Sequence, residues 1–264
     1  YLAREEFVSD GQIPWNMLYG ANLDSQGNAL RASYILQDDV SKDTQLQFSS
    51  ILFSELTSNI TLNAAVNYRS LKSENYAQVR DLLGSNGFLD IDTFANSESG
   101  DGSGDLQTNI AQSDVRNPNR IVGEGDRYKY NFDINADVMS GFAQAQFKYS
   151  KVDFYLSASL GATNYQRNGL YENGNYQGGN SSFGESEALS FSTLGFKGGA
   201  VYKVTGRHLI DVNAGYLTKA PSIRNSFSNS RQNNNVVEGL VEEKIQNLDA
   251  VSYTHLTLPT SYAV

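Results

Sequence analysis

Apolar side chains recur at every second position through long stretches of this chain. Val152, Phe154, Leu156, Ala158, Leu160 and Ala162 alternate with Asp153, Tyr155, Ser157, Ser159 and Gly161. Tyr128, Tyr130, Phe132, Ile134, Ala136 and Val138 do the same against Lys129, Asn131, Asp133, Asn135 and Asp137. The rule returns in Ile60, Leu62, Ala64, Val66 and Tyr68, and again in Ile210, Val212, Ala214 and Tyr216. Successive side chains of a strand point to opposite faces, so this period gives each strand one apolar and one polar face. It predicts strands over residues 31–40, 44–56, 58–72, 127–138, 142–150, 152–166, 188–204 and 208–219, about eight in all. Residues 127–149 read either as one strand with a bulge near Met139-Ser140-Gly141 or as two strands. Gln78 to Leu83 reads as a short helix.

A one-sided strand suits a soluble antiparallel sheet with one wet face. Three features favour a membrane barrel instead. The strands are long against a soluble mode of about 5–6 residues. Their polar faces carry Asn, Gln, Ser and Asp, which suits a wet lumen. Tyr68, Tyr128, Tyr149 and Tyr216 fall near the ends of apolar faces, where an aromatic girdle meets lipid headgroups. The connections alternate in length as well. Thr57-Ser58-Asn59, Ser150-Lys151 and Thr205-Gly206-Arg207 are tight, whereas 73–126, 167–187 and the stretch after Lys219 are long and polar. Short turns on one rim and long loops on the other mark outer-membrane barrels, with the long loops outside the cell. The expected fold is all-β: an antiparallel transmembrane β-barrel over residues 1–250, present in part.

Composition adds exclusions. The 264 residues carry 29 acidic and 20 basic side chains, a net charge of −9. With no basic excess to neutralise phosphates, nucleic acid is not an expected partner. Without cysteine there is no disulfide, thiolate metal site or cysteine nucleophile. No run approaches the roughly 20 apolar residues of a membrane helix, a test that barrels escape because their strands are apolar on one face only.

Candidate chemistry is sparse. Asp101 and Asp105, with Asp90, Asp92, Glu98 and Asp114, supply oxygen ligands for a calcium ion, but they lack EF-hand spacing and read as a solvated acidic loop. His208 and His255 are isolated, and no nucleophile motif frames a serine. No catalytic residue, cofactor or metal is therefore expected. Tyr165, Arg167, Tyr171 and Tyr176, followed by Phe183, lie among Asn and Gly. They are candidate ligand contacts, aromatic platforms with amide partners that suit a sugar, or else a plain loop whose tyrosines sit at the membrane rim. Arg167, Lys219, Arg224 and Arg231 reach lipopolysaccharide phosphates or an anionic ligand in this topology, or are solvated loop charges.

Several segments carry a family resemblance: Ile13-Pro14-Trp15-Asn16-Met17-Leu18-Tyr19, Asn117-Pro118-Asn119-Arg120-Ile121-Val122-Gly123, and Phe196-Lys197-Gly198-Gly199-Ala200-Val201-Tyr202 running into Gly206-Arg207-His208. The most specific is Gly215-Tyr216-Leu217-Thr218-Lys219-Ala220-Pro221, continuing through Arg224-Asn225 and Val236-Val237 to Glu243-Lys244-Ile245. Across residues 10–250 the chain resembles the barrel of TonB-dependent outer-membrane receptors of the Bacteroidetes type. The resemblance implies an N-terminal plug inside a barrel of about 22 strands. It also implies active import of an iron chelate, cobalamin, oligosaccharide or peptide, driven by TonB acting on a region ahead of the plug, and a surface lipoprotein as a further partner. This chain then corresponds to a middle portion of the barrel, bounded by outer-membrane lipid and lipopolysaccharide. A passive porin and a secreted, soluble glycan-binding β-protein are the alternative expectations. Residues 251–264 depart from the family pattern and contain Pro259, awkward inside a paired strand. They read as a non-native tail.

Overall fold

The computed structural model describes residues 11, 13–92, 109–178 and 181–254. It is an antiparallel, nearly all-β structure. The main sheet runs β1 (Leu36–Thr57), β2 (Ile60–Asp81), β5 (Arg127–Lys148), β6 (Val152–Gly169), β8 (Leu189–Thr205), β9 (His208–Lys219) and β10 (Glu243–Thr254), each beside the next. A short β7 (Gly184–Glu185) adds to β6, and β3 (Phe88–Leu89) pairs with β4 (Ile121–Val122). Two short helices, α1 (Trp15–Gly20) and α2 (Ile223–Ser226), lie outside the sheet. Among the described residues, β1 and β10 each have one unpaired edge.

Several boundaries differ from the expected ones. Segments 31–40 and 44–56 are one strand that begins at Leu36, because Ser41, Lys42 and Asp43 pair without a break with Asn75, Glu74 and Ser73. β2 extends through Asp81, so residues 78–81 are strand rather than helix, and the long connection opens at residue 82 rather than 73. β6 likewise continues to Gly169. Residues 127–148 are one strand with no irregularity at Met139-Ser140-Gly141; its shift in register lies at Tyr76/Ala77. β10 is not among the eight strands that alternation predicts, although the family resemblance implies a strand entering at Glu243-Lys244-Ile245. Its ladder with β9 runs on through Val251↔Asp211 and Thr254↔His208. His255 and Pro259 lie outside the described residues.

Cross-strand partners share a face, so the register sorts side chains by side. One rung reads Ser54–Leu62–Ala145–Leu156–Gly198–Ala214–Leu248, and the next on that face Leu52–Ala64–Ala143–Ala158–Phe196–Tyr216. This outer face is an apolar band over residues 46–54, 60–68, 139–147, 154–162, 194–202, 210–216 and 246–250. The band is not covered: Leu160 is 70% exposed and Leu248 77%. The opposite, inner face carries Asn63–Gln144–Ser157–Lys197–Gly215–Asn247 at the same height. One inner rung, Ile51–Ala65–Phe142, is apolar as well.

Above the band the polarity of the two faces reverses. On β5 the outer-face residues are Met139, Gly141, Ala143, Ala145 and Phe147, whereas Tyr128, Tyr130, Phe132, Ile134 and Ala136 are buried on the inner face. The strand does not slip; its surroundings change. The three tight turns lie at the far end of the sheet. The three long connections (82–126, 170–188 and 220–242) start and end here, and their described residues fold onto the inner face. There Phe227, Ile223, Val236 and Val122 pack on Tyr128, Tyr130, Phe132 and Ile134. Leu240 and Ala220 pack beside Tyr165 and Phe191. Strands of 22 residues span about 70 Å. That length holds both an uncovered band and a covered upper storey.

Candidate ligand-binding site

The upper inner face is where loops, aromatic rings and charges converge. Its floor is the inner face of β5 and β6. Tyr128 donates its hydroxyl proton to Gln37 Oε1, and Tyr130 donates to Asp39 Oδ1 at 3.1 Å. Burial pushes both phenols up to about 12. Asn22, fully buried, fastens the N-terminal segment. Its Nδ2 donates to the carbonyls of Tyr34 and Leu82 at 2.8 and 3.0 Å, and its Oδ1 accepts from the Ser33 amide at 2.8 Å.

Asp90 is 3% exposed and holds two donors: the Arg120 guanidinium through Nη2, and the Lys129 amide at 2.9 Å. The second contact accompanies the break in register. Tyr76 pairs with Asn131 and Ala77 with Tyr128, so Lys129 and Tyr130 have no partner on β2. Lys129 has φ of 63°, in the left-handed region that disfavours a side chain bearing Cβ. A non-glycine residue held there stores strain of order 1–3 kcal/mol, and such residues cluster at functional sites.

Five arginines lie over aromatic rings in this part of the structure. Arg127 lies 3.8 Å from the Tyr76 ring centroid, Arg116 4.1 Å from Phe183, Arg231 4.8 Å from Tyr130, and Arg120 and Arg167 5.0 Å from Tyr171 and Phe132. Sequence reasoning missed this set, because the partners stand at no fixed offset along the chain.

The four residues singled out from the sequence occupy this layer, but as parts of its frame. Tyr165 is buried against Phe191, with centroids 5.9 Å apart. Arg167 is 1% exposed, and its side-chain bonds run to other protein groups: Nε to Ser230 O at 2.7 Å, and Nη1 to Ser182 O at 2.8 Å and to Asn234 Oδ1. Burial pulls its pKa down to about 10, so it stays charged at neutral pH. Gly169 makes this geometry feasible, since a Cβ there would lie 1.6 Å from Ser182 O. Tyr171 donates to Arg127 O at 2.9 Å and accepts from Arg120 Nη2 at 3.0 Å. Tyr176 is held by its backbone, its amide on Asn173 O and its carbonyl on the Ser182 amide, each at 3.0 Å. Tyr165 and Arg167 are buried, whereas Tyr171 and Tyr176 are half-buried. Tyr128, expected in a membrane girdle, is 5% exposed on the inner face.

Of the acidic candidates, Asp90 is held by Arg120 and Lys129. Asp114 accepts from the Arg116 and Glu172 amides at 3.2 Å and from Asn117 Nδ2 at 2.8 Å. Glu98, Asp101 and Asp105 lie outside the described residues. Among the described residues no metal-ligating group of three or more His, Asp or Glu forms.

Three hollows stand out. The largest, about 1030 Å³, is a trough on the outer apolar band where Ala143, Ala145, Ala158, Gly198 and Ala214 leave room between Leu62, Leu156 and Phe196. On this face its polar side chains are Tyr216 and Gln246, and the rest of the wall is aliphatic or aromatic. A cleft of about 680 Å³ between residues 181–189 and 234–240 is lined by Phe183, Glu185, Glu187, Asn234 and Glu238. A smaller pocket of about 240 Å³ is lined by Asp92, Lys129, Tyr130, Asn173, Asn229, Arg231 and Gln232. It joins the strained residue, the inner sheet face and three loops. The chain matches no family model, no curated protein and no solved structure.

Proposed function

We propose that this chain is part of the wall of an outer-membrane transport barrel of the TonB-dependent receptor type. It captures a nutrient on the outer side and hands it inward. The observation that carries the reading is the reversal of polarity along single strands. A soluble sheet buries its apolar face against a second layer. Here the lower outer face is apolar and uncovered, which suits hydrocarbon. The upper inner face is apolar only where loops cover it. Strand edges are not stable in lipid, because their unpaired amides and carbonyls find no water there. In the closed wall the free edges of β1 and β10 therefore pair with further strands. Inward-folded loops favour capture of a ligand over an open pore, and the resemblance of the Tyr216–Pro221 and Glu243–Ile245 segments supplies the receptor type.

Expression in a Gram-negative host tests the location: the protein should enter the outer-membrane fraction, need detergent for extraction and migrate differently on gels with and without heating. Recovery in the soluble fraction without detergent would favour the secreted glycan-binding alternative. Uptake that survives loss of TonB would favour a passive porin.

A further inference from the structure

We propose that the pocket beneath the β9–β10 loop binds a single carboxylate group of a small ligand, with Lys129 as its charge partner. The argument is a census of what each lining group has left to offer. The amide oxygens of the lining each already take one donor. Asn173 is buried, and its Oδ1 takes the Asn175 amide at 3.0 Å. Gln232 Oε1 takes Asn229 Nδ2 at 2.9 Å, and Asn229 Oδ1 takes the Arg231 amide at 3.2 Å. The Tyr130 hydroxyl proton goes to Asp39. Asp92, the acidic lining residue, is itself not free.

Three donors stand open. Asn173 Nδ2, Gln232 Nε2 and the Lys129 ammonium have no partner among the described residues. Arg231 adds a second positive charge at the wall, already shared with Asp39 at 3.3 Å. Two open amide donors beside an exposed, unpaired ammonium suit an oxyanion. One unpaired cation, with Asp92 nearby, matches the single charge of a carboxylate better than the nearly double charge of a phosphate monoester. The backbone supports this reading. Lys129 is held at φ 63° by the two extra residues of β5 and by Asp90 on its amide. This backbone conformation sets the lysine on the pocket wall.

The inference names a ligand class for the transport reading and rests on that reading only for its biological meaning, since binding is measured on purified protein. The full chain in detergent micelles is titrated with N-acetylglycine, its neutral amide and inorganic phosphate by saturation-transfer NMR. N-acetylglycine should bind at least about tenfold more tightly than the amide or phosphate. Lys129→Gly should cut its affinity about tenfold while the fold holds or gains stability, because glycine accepts positive φ. Lys129→Arg should keep most of the binding. Equal binding of acid and amide, tighter binding of phosphate or of methyl glucoside, or unchanged affinity in Lys129→Gly would each overturn the assignment. Failure of membrane fractionation would leave these results standing and would count against transport alone.

Discussion

Arg231 Nη2 lies 3.3 Å from Asp39 Oδ2, although 192 residues separate the two in sequence. Asp39 is on β1, and Arg231 belongs to the connection between β9 and β10, with β2, β5, β6 and β8 in between. The β9–β10 loop therefore crosses the inner face of the sheet. On the way it stacks Arg231 on Tyr130 and seats Phe227 among the buried rings. This strap supplies Asn229, Arg231 and Gln232 to the wall of the small pocket.

The ion pair that ends the strap is weak by position. Its side chains are 55% and 47% exposed, and such pairs contribute about 0–1 kcal/mol. Asp39→Asn should therefore lower global stability by less than about 1 kcal/mol. The measurable effect is local: trypsin should cut after Arg231 faster in the variant, while the unfolding midpoint hardly moves. A loss of several kcal/mol would mean that the pair is shielded from water and the strap more tightly closed than its exposure indicates.

Arg167 is the opposite case. Three acceptors from two loops, Ser182 O, Ser230 O and Asn234 Oδ1, depend on one buried guanidinium. Arg167→Met fills the volume but leaves those groups without donors, at a cost on the order of 3 kcal/mol. Arg167→Lys should recover little, because an ammonium cannot serve the forked geometry. Thermal unfolding in detergent checks both, with earlier proteolytic nicking in 170–188 and 220–242. A change within about 0.5 kcal/mol would show that water replaces the arginine readily.

The lower half of the sheet is legible in the sequence because one physical rule governs each face. Between Val152 and Ala162 every odd residue faces the polar side and every even residue the apolar side. The rule breaks where the environment changes partway along a strand. β5 moves its apolar set from Ala136 on the inner face to Met139 on the outer, and from sequence this resembles a bulge or a break. Leu71, Ala77 and Val79 of upper β2 are apolar toward loops that sequence alone does not place, so that strand reads as a loop beginning at 73. β10 is an edge whose outer residues Gln246, Leu248 and Ala250 alternate weakly. The site is less legible still. Lys129 matters through a backbone angle, and Asn173 and Gln232 through which of their atoms are already bonded.

Three tyrosines of the upper storey make its packing sensitive to alkali. Burial raises Tyr128 and Tyr130 to about 12, and it raises Tyr171 despite the opposing pull of Arg120. The folded protein thus keeps phenolic protons that the unfolded chain surrenders near 10. Their contribution is complete below that pH and is lost as pH rises through about 12. Phenolate absorbance should show a late-titrating group in the folded protein that vanishes in denaturant and shrinks in Tyr128→Phe. Simultaneous titration of all tyrosines in the folded state would mean that water reaches the rings beneath the loops.

Adjacent residues of β6 separate a membrane wall from a soluble sheet. Leu160 is on the outer apolar band, paired with Gly141 and Leu194; Ser159 is on the inner face, paired with Phe142 and Gly195. Both are exposed. In water, an arginine at either position meets solvent and costs little. In a bilayer the outer position faces hydrocarbon, where arginine near the midplane costs about 2–4 kcal/mol, whereas the inner position faces a wet lumen. Leu160→Arg should therefore reduce the amount of protein assembled in the outer membrane and lower its unfolding midpoint in lipid vesicles, with Ser159→Arg close to the parent. Equal tolerance of both substitutions in vesicles would remove lipid from the outer face and take the barrel reading with it.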